Sequence, residues 1–413
     1  MTPRARPALA AIALLMCSGL AATVARAEVR TVGADGIQAA IARSVAGDVV
    51  EVPPGTYREH VVLDRAITLR GRGGTLDGEG RGTVLRVTAA YARVEGLAVR
   101  GSGVDIVASD SCIYVEPEAK GAVVEHNDLT ACEYGIWIHR TQDARVAYNH
   151  VRGRPDLRPA DRGNGIQLFD SSHLSVVHNL VEDARDGVYV SVTNDSDISY
   201  NRTNHLRYGI HYMFSLRNTL RGNESSDNLG GIALMSSREL VVEDNRADRN
   251  RRFGLLFRDG QACIVRRNHA SGNGQGMFFY GSTENQYIDN EATGNDIGVR
   301  LWGSSQGDRV VGNRFVGNRQ QVFYIGTHDL TIGAGGRGNY WSDYLGWDQD
   351  GDGVGETPYR VDSLTVVLVH HYPGAVLLLR SPILELLSHL EEAMPVLRVP
   401  TVIDPWPVVR RAA

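Results

Sequence analysis

The sequence contains little of what helical bundles and nucleic-acid-binding proteins require. Aromatic residues make up 7% of its 413 residues, and eight phenylalanines stand against 46 glycines, a balance that favours turn-rich β structure over packed helices. The central region lacks apolar stripes of helical period over ten or more residues, which excludes the common helical repeats. The net charge is −5, so no basic surface for binding nucleic acid is indicated.

What the sequence does contain is asparagine at a nearly constant interval. Successive asparagines lie 22 or 23 residues apart, and one step of 30 marks an insertion. A repeat of this length has room for three short strands and three turns, which is one coil of a solenoid. Asparagine suits the corners because it tolerates left-handed backbone angles and because its amide can hydrogen bond to the next coil. The main series is Asn127, Asn149, Asn179, Asn201, Asn223, Asn245, Asn268, Asn290 and Asn313, and a second series is Asn228, Asn250, Asn273, Asn295 and Asn318.

We therefore predict an all-β fold, a right-handed parallel β-helix of about twelve coils, whose handedness follows from the usual chirality of parallel crossovers. Residues 1–27 have the features of a signal peptide, with Arg4 and Arg6 before an apolar run and an Ala-x-Ala site at residues 25–27. We assign the β-helix to residues 28–335. Residues 36–42 have helical spacing and would form a helix that caps the open N-terminal end of the β-helix.

Beyond the β-helix we distinguish an Asp/Gly-rich loop region, residues 336–363, and a tail, residues 364–413. The apolar segments of the tail have helical spacing, but they are too short and too interrupted by charge to span a bilayer. We expect a helical, amphipathic tail that docks on a partner, the alternative being a cap on the end of the β-helix.

The cysteines allow two interpretations. Cys112 and Cys132 lie about one coil apart, so they form either a disulfide, in an oxidising compartment, or two buried thiols. Cys263 lies in an apolar strand and is expected in the core.

A glycine followed by an apolar residue recurs at the same interval and predicts which side chains face outwards. The residue after this glycine and the one two positions further face the core, so the residues between and after them form one outer face. A contiguous aromatic and apolar strip on such a face is typical of a partner-binding surface. The members that we assign to partner binding are Trp137, His139, Phe169, Tyr189, Phe278, Tyr280 and Trp302.

Two methionines on this face suggest a metal site. Met213 and Met235 lie 22 residues apart, so they stack on adjacent coils at about 4.8 Å, and His211 points the same way from two residues before Met213. Thioethers and imidazole suit Cu(I), whereas hard ions prefer oxygen. We predict a Cu(I) site of these three residues, the alternative being that the methionines fill gaps beneath a bound partner. Met277 faces the core by the same register.

A second candidate site lies in the loop region. Asp348, Asp350 and Asp352, followed by Gly353, match the first, third, fifth and sixth positions of a calcium-binding loop. The twelfth position is Tyr359 instead of glutamate, so the match is partial. The loop therefore predicts either a Ca²⁺ site or a tight Asp/Gly turn.

Four motifs together resemble the NosD family, periplasmic proteins of nitrous oxide reductase maturation. They are residues 208–214 (YGIHYMF), 231–235 (GIALM), 338–344 (GNYWSDY) and 348–360 (DQDGDGVGETPYR). The resemblance implies a periplasmic β-helix that works with an ABC-type ATPase and its membrane permease, on which the tail docks. It also implies a copper chaperone partner of the NosL type and delivery of copper to nitrous oxide reductase. The chain has no P-loop motif, so any ATP is hydrolysed by another chain.

Two other classes of function stay open from the residues alone. A polysaccharide lyase, hydrolase or epimerase needs convergent carboxylates, of which the outer face has few, although an aromatic strip can stack on sugars. A passive structural or adhesive solenoid would bind no metal and no membrane partner. We predict a binding protein that is not an enzyme.

Overall fold

The chain folds as a right-handed parallel β-helix, as the repeat predicted. The computed structural model describes residues 27–302, 305, 307–361 and 400–409, together with single residues at 372, 374, 381, 382, 386 and 390. In these parts of the chain, helix is confined to the short helix α1 (Ile37–Ala42), a 3-10 turn (Pro159–Asp161) in the insertion and single helical positions beyond residue 361.

The strands are short, and each coil contributes one strand to each of three sheets. In chain order they are β1 (Val29–Thr31), β2 (Val49–Val52), β3 (Gly55–Tyr57), β4 (Val61–Leu63), β5 (Thr68–Gly71), β6 (Gly74–Asp77), β7 (Leu85–Val87), β8 (Arg93–Glu95), β9 (Ala98–Arg100), β10 (Ser111–Val115), β11 (Val123–Glu125), β12 (Asp128–Thr130), β13 (Tyr134–His139), β14 (Arg145–Ala147), β15 (His150–Arg152), β16 (Ile166–Phe169), β17 (Ser175–Val177), β18 (Leu180–Glu182), β19 (Asp186–Ser191), β20 (Asp197–Ser199), β21 (Arg202–Asn204), β22 (Tyr208–Met213), β23 (Thr219–Arg221), β24 (Glu224–Ser226), β25 (Gly230–Met235), β26 (Val241–Glu243), β27 (Arg246–Asp248), β28 (Phe253–Arg258), β29 (Ile264–Arg266), β30 (His269–Ser271), β31 (Gln275–Tyr280), β32 (Gln286–Ile288), β33 (Glu291–Thr293), β34 (Ile297–Trp302), β35 (Arg309–Val311), β36 (Arg314–Val316), β37 (Gln320–Ile325), β38 (Leu330–Thr331), β39 (Tyr340–Trp341), β40 (Tyr359–Arg360) and β41 (Val402–Asp404).

Within the β-helix, every third strand belongs to the same sheet, whereas β38, β41 and β40 form a separate small sheet. Sheet A contains β1, β2 and every third strand from β5 to β35, sheet B runs from β3 to β39, and sheet C runs from β4 to β37. The predicted inward pairs of sheet C are buried, from Ile136 and Ile138 to Val299 and Leu301, and Met277 is in the core. Because side chains alternate along a strand, the positions between these pairs form the outer face of sheet C.

The asparagine series forms a directional ladder inside one corner of the β-helix. Each side-chain oxygen accepts hydrogen bonds at 2.9–3.1 Å from both the backbone N–H and the side-chain amide of the asparagine one coil earlier. The left-handed angle falls on the residue before the asparagine, for example Tyr148, His178 and Tyr200, and not on the ladder asparagines. The expectation that asparagine itself takes that angle was therefore wrong, and the ladder accounts for its recurrence.

The N-terminal end of sheet C is covered by side chains from α1. β4 is the edge strand of this sheet. The amide oxygen of Gln38 accepts a hydrogen bond from the Val62 N–H at 2.8 Å, and the Gln38 amide nitrogen donates to the Val62 carbonyl at 3.2 Å. The carboxylate of Glu59 accepts the N–H groups of Ile37 and Gln38 at the start of α1. The edge strand therefore has side-chain partners where no further coil precedes it.

The C-terminal end differs from the predicted boundaries. β39 pairs with β36 in sheet B, so Tyr340 and Trp341 belong to the last coil and not to a separate loop region. β41 lies between β38 and β40, and the Asp404 carboxylate accepts hydrogen bonds from the N–H and amide of Asn339 and from Trp341 Nε1. Residues 400–409, predicted to belong to the tail, thus pack on the β-helix. A carboxylate replaces asparagine as the last acceptor of the ladder.

Most of the predicted tail lies outside the described residues, so its helical character and its docking stay predictions. The short helices found in the described parts of the chain cannot cross a membrane. The predicted signal peptide lies almost entirely outside the described residues as well.

The cysteine alternatives are resolved. Cys112 and Cys132 form a disulfide with a Cα–Cα distance of 5.6 Å. Cys263 is a buried free thiol, as expected, and burial raises its pKa to about 11.

Removal of one rung should destabilise the fold. Asn223→Ala removes the side-chain acceptor of the Asn201 backbone N–H and the side-chain donor to the Ile198 carbonyl, at an expected cost of about 3 kcal/mol. Glu224→Ala is the matched control, because Glu224 is the next residue but is exposed, and its loss should cost less than about 1 kcal/mol. Urea unfolding followed by circular dichroism measures both. Equal midpoints for the two variants would contradict the role of the ladder.

Candidate metal centre on the outer face of sheet C

The predicted methionine pair is brought together by strand register. Met213 of β22 and Met235 of β25 are direct partners across adjacent strands, and His211 lies two residues before Met213 on the same face. Met235 packs against an apolar cluster formed by Ala233, Phe253 and Leu256. Both thioethers are half-buried, so they are partly shielded and still reachable from outside.

His211 lies on the predicted face but not in solvent. Its side chain is 7% exposed, because the rings of Tyr189 and Tyr208 meet it edge-on at centroid distances of 4.8 and 5.0 Å. The expectation of an exposed histidine is therefore corrected. Large side chains on its own strand and on the preceding strand cover the imidazole, whereas the outward direction of the residue is as predicted.

A buried carboxylate that the sequence analysis missed holds this histidine. Asp186 is fully buried, and its Oδ2 lies 2.9 Å from His211 Nδ1. Arg207 donates two hydrogen bonds to the same carboxylate. Burial opposes ionisation of Asp186, but the hydrogen bonds from His211 and Arg207 outweigh it and lower its pKa. Asp186 is therefore an anion that accepts the Nδ1–H of His211.

The other imidazole nitrogen has no partner among the described residues. Within the described residues His211 Nε2 is buried and has no hydrogen-bond partner. A histidine that donates Nδ1–H to a carboxylate presents the lone pair of Nε2, which is the arrangement found in most metal-binding histidines. The donor set of this site, two thioethers and one imidazole, fits a soft ion such as Cu(I).

His139 is too far away to share an ion with these residues. Three strand steps separate it from Met213 by register, through Phe169 and Ser191, which is roughly 14 Å. His139 Nδ1 instead lies 2.8 Å from the hydroxyl of Tyr114, and the Tyr114 ring stacks on Trp137. We call this group, with Tyr134 and Phe169, the N-terminal aromatic patch.

The predicted partner surface therefore divides into two patches on either side of the metal centre. The C-terminal aromatic patch comprises Phe278, Tyr280, Arg300, Trp302 and Phe323, whose side chains contact one another. Tyr189 lies between the patches and covers His211. All seven residues predicted for partner binding face outwards and are half-buried, so they form a surface of packed rings.

The acidic loop assembles a different trio from the predicted one. Carboxylate oxygens of Asp348, Asp350 and Glu356 lie within 4.8 Å of one another. Asp352 is outside this group, and its carboxylate accepts a hydrogen bond from the Val354 N–H at 2.7 Å. Calcium binding by this loop stays a prediction, now with Glu356 in the place of Asp352.

Glu133 is a second titratable group that the sequence analysis missed. It is buried directly before β13, and its Oε1 has no hydrogen-bond partner among the described residues. Its pKa is raised to about 7, mainly by burial; the charge of Arg154 opposes this shift and the charge of Asp110 adds to it. Its position one residue before a strand gave no sign of burial in the sequence.

The class of the protein follows from the fold and this face: it is a right-handed parallel β-helix with a soft-donor cluster on one outer sheet. Residues 71–199 match the family model "Right handed beta helix region". A family 28 exopolygalacturonase from Yersinia enterocolitica shares the fold with a TM-score of 0.56 at 9% identity, over 76% of this chain and 78% of that one. At this identity the likeness shows the fold alone.

Sequence comparison identifies the family. Residues 147–346 match the family model "Periplasmic copper-binding protein (NosD)". Two relatives, from Pseudomonas aeruginosa and Stutzerimonas stutzeri, are both named "Probable ABC transporter binding protein NosD". They are 36% and 34% identical to this chain over 374 and 375 residues. Each alignment covers 87% of this chain and 87% or 86% of the relative. The chain belongs to the NosD family.

The buried carboxyl of Glu133 predicts a pH-dependent stability. Its folded-state pKa of about 7 lies above the ordinary value of 4.5, so its stabilising protonated form is fully present below the lower value and is lost as the pH rises through the higher one. Glu133→Gln should therefore be more stable than the wild type by about 2 kcal/mol at about pH 8, with a smaller difference at about pH 5.

Urea-unfolding midpoints at the two pH values measure this effect. Glu118→Gln is the control, because Glu118 is exposed and its variant should match the wild type at both pH values. A stability difference between Glu133→Gln and the wild type that is the same at both would show that burial does not govern the Glu133 carboxyl.

Proposed function

We propose that this protein binds Cu(I) through His211, Met213 and Met235 and passes it on during maturation of nitrous oxide reductase. The observation that carries the proposal is the Nε2 of His211, which has no hydrogen-bond partner in the described part of the chain and lies on the same face as two thioethers paired by register. The description of the matched family as periplasmic and copper-binding supports it, as do the chemical preferences of Cu(I).

The geometry supports transfer by ligand exchange. Three protein ligands leave a Cu(I) ion open to a further donor from a partner, and the half-buried thioethers lie at the surface where such a donor can approach. The apolar cluster beside Met235 shields the site from water. Asp186 acts as a positioning residue, since its hydrogen bond fixes the ring orientation and tautomer of His211.

The proposed partners follow from the family. A copper chaperone of the NosL type would supply the ion, and nitrous oxide reductase would receive it. The names of the relatives support an association with an ABC transporter. We propose that the ATPase and the permease of this transporter work with this chain in the periplasm. The permease would bind residues 364–399. Family membership does not favour the polysaccharide-processing alternative.

Loss of both thioethers should abolish tight Cu(I) binding. Met213→Leu/Met235→Leu keeps the apolar volume and removes both sulfurs, so the dissociation constant should rise by at least tenfold in an anaerobic titration against a chromophoric Cu(I) chelator. Met277→Leu is the matched control, because this methionine is 1% exposed and points into the core. An unchanged dissociation constant for the double variant would refute the site.

Asp186 should tune the affinity without being a ligand. Asp186→Asn removes the anion that accepts the His211 proton, so Cu(I) affinity should fall by about tenfold. Asp195→Asn is the control, since Asp195 pairs with Arg217 in the same bidentate way, whereas the carboxylate that hydrogen bonds to His211 is that of Asp186. The pH dependence of Cu(I) binding should also change in Asp186→Asn only. Equal Cu(I) affinities for both variants would show that Asp186 has no role in the metal centre.

A further inference from the structure

Arg300 occupies an unusual position in the C-terminal aromatic patch. Strand register places Phe278 on one side of it and Phe323 on the other. Its guanidinium carbon lies 5.0 and 4.9 Å from the centroids of these rings and 5.2 Å from the Trp302 ring. Three aromatic groups therefore surround one cation on the outer face of sheet C.

This cation has no anion beside it in the described parts of the chain. Arg300 Nε is buried without a hydrogen-bond partner, and none of the ion pairs between described residues includes Arg300. By contrast, Arg267 pairs with both Asp244 and Glu243. Residues 303–306, which follow β34, contain no carboxylate in their sequence. A half-buried cation held only by rings is incompletely compensated for its lost hydration.

A second arginine extends the positive charge to the edge of the metal centre. Arg258 of β28 is the register partner of Met235 on one side and of Tyr280 on the other. Its guanidinium carbon lies 5.7 Å from the centroid of the Tyr280 ring, and its Nε lies 3.6 Å from the carboxylate of Asp259. The two arginines thus lie on one side of the methionine pair, with Phe278 and Tyr280 between them.

We propose that the C-terminal aromatic patch binds an acidic segment of the protein that exchanges copper with the methionine pair, and that Arg300 receives a carboxylate of that segment. The inference rests on the proposed copper function for the identity of the partner, but the site itself is defined by charge and geometry. A guanidinium binds a carboxylate through two parallel hydrogen bonds, and the surrounding rings restrict its orientation. An acidic segment bound here would bring its protein beside Met235.

The binding site can be tested with a defined polyanion. The probe is a fluorescein-labelled oligo-glutamate of about ten residues, followed by fluorescence anisotropy with the intact chain at low ionic strength. The chain carries a net charge of −5, so unspecific attraction of this probe is not expected. Oligo-glutamine of the same length should not bind, and added salt should weaken the binding of oligo-glutamate.

Two charge-matched variants locate the site. Arg300→Gln should weaken binding of oligo-glutamate by about tenfold and Arg300→Lys by less, since lysine keeps the charge but not the paired hydrogen bonds. Arg309→Gln removes one charge from an exposed position on sheet A and should change binding less than twofold. Equal losses for Arg300→Gln and Arg309→Gln, or no binding to the wild type, would overturn the proposal.

The same experiment tests whether three glutamates of the chain itself occupy the patch. Glu385, Glu391 and Glu392 lie in the segment outside the described residues. If they filled the patch, their simultaneous replacement by glutamine would strengthen oligo-glutamate binding several-fold, which would also overturn the proposal; unchanged binding supports it. Cu(I) affinity of Arg300→Gln should equal that of the wild type. Failure of the acidic site is therefore distinguishable from failure of the copper site, which the methionine variants report.

Discussion

The hydrogen bond between the asparagine side chains of successive coils is the constraint on which the structure depends. Each rung accepts two N–H groups from the previous rung, so every coil must start its turn at the same place. This fixes the register of all three sheets, and a slip of one residue would exchange the inner and outer faces. The pairing of Met213 with Met235 is a consequence of that register, and so is the placement of Arg258 beside them.

Much of this could be predicted from the sequence because it is local and repeated. Spacing predicted the β-helix, the alternation of faces and the methionine pair. The burial of His211 could not be predicted, since it depends on how the rings of Tyr189 and Tyr208 settle across two strands. Asp186 was missed because it precedes the glycine taken as the strand start, although β19 begins with it. In the acidic loop, Glu356 lies close to Asp348 and Asp350. This could not be predicted from residue spacing, because it depends on how the loop folds.

The outer face of sheet C is uneven in charge along its length. At its centre, Asp186 is balanced by Arg207 and by the imidazole that it holds. Towards the C-terminal end, Arg300 is surrounded by rings and has no such balance among the described residues. At the opposite end the N-terminal aromatic patch combines Trp137 with the Tyr114–His139 pair. A partner that covers the centre therefore meets chemically different neighbours on its two sides, which gives its binding a direction.

The last acceptor of the ladder has a mechanical consequence. β40 and β41 are antiparallel neighbours at the C-terminal end of the β-helix, so the two ends of the segment between them are adjacent. One of these two anchors contains Asp404, which holds Asn339 and Trp341. Tension applied to that segment would be transmitted through Asp404 into the column of asparagine amides that runs from Asn339 back to Asn127. A partner that pulls on this segment would therefore apply force to the whole series of asparagine hydrogen bonds, and not only to the pairing of one terminal strand.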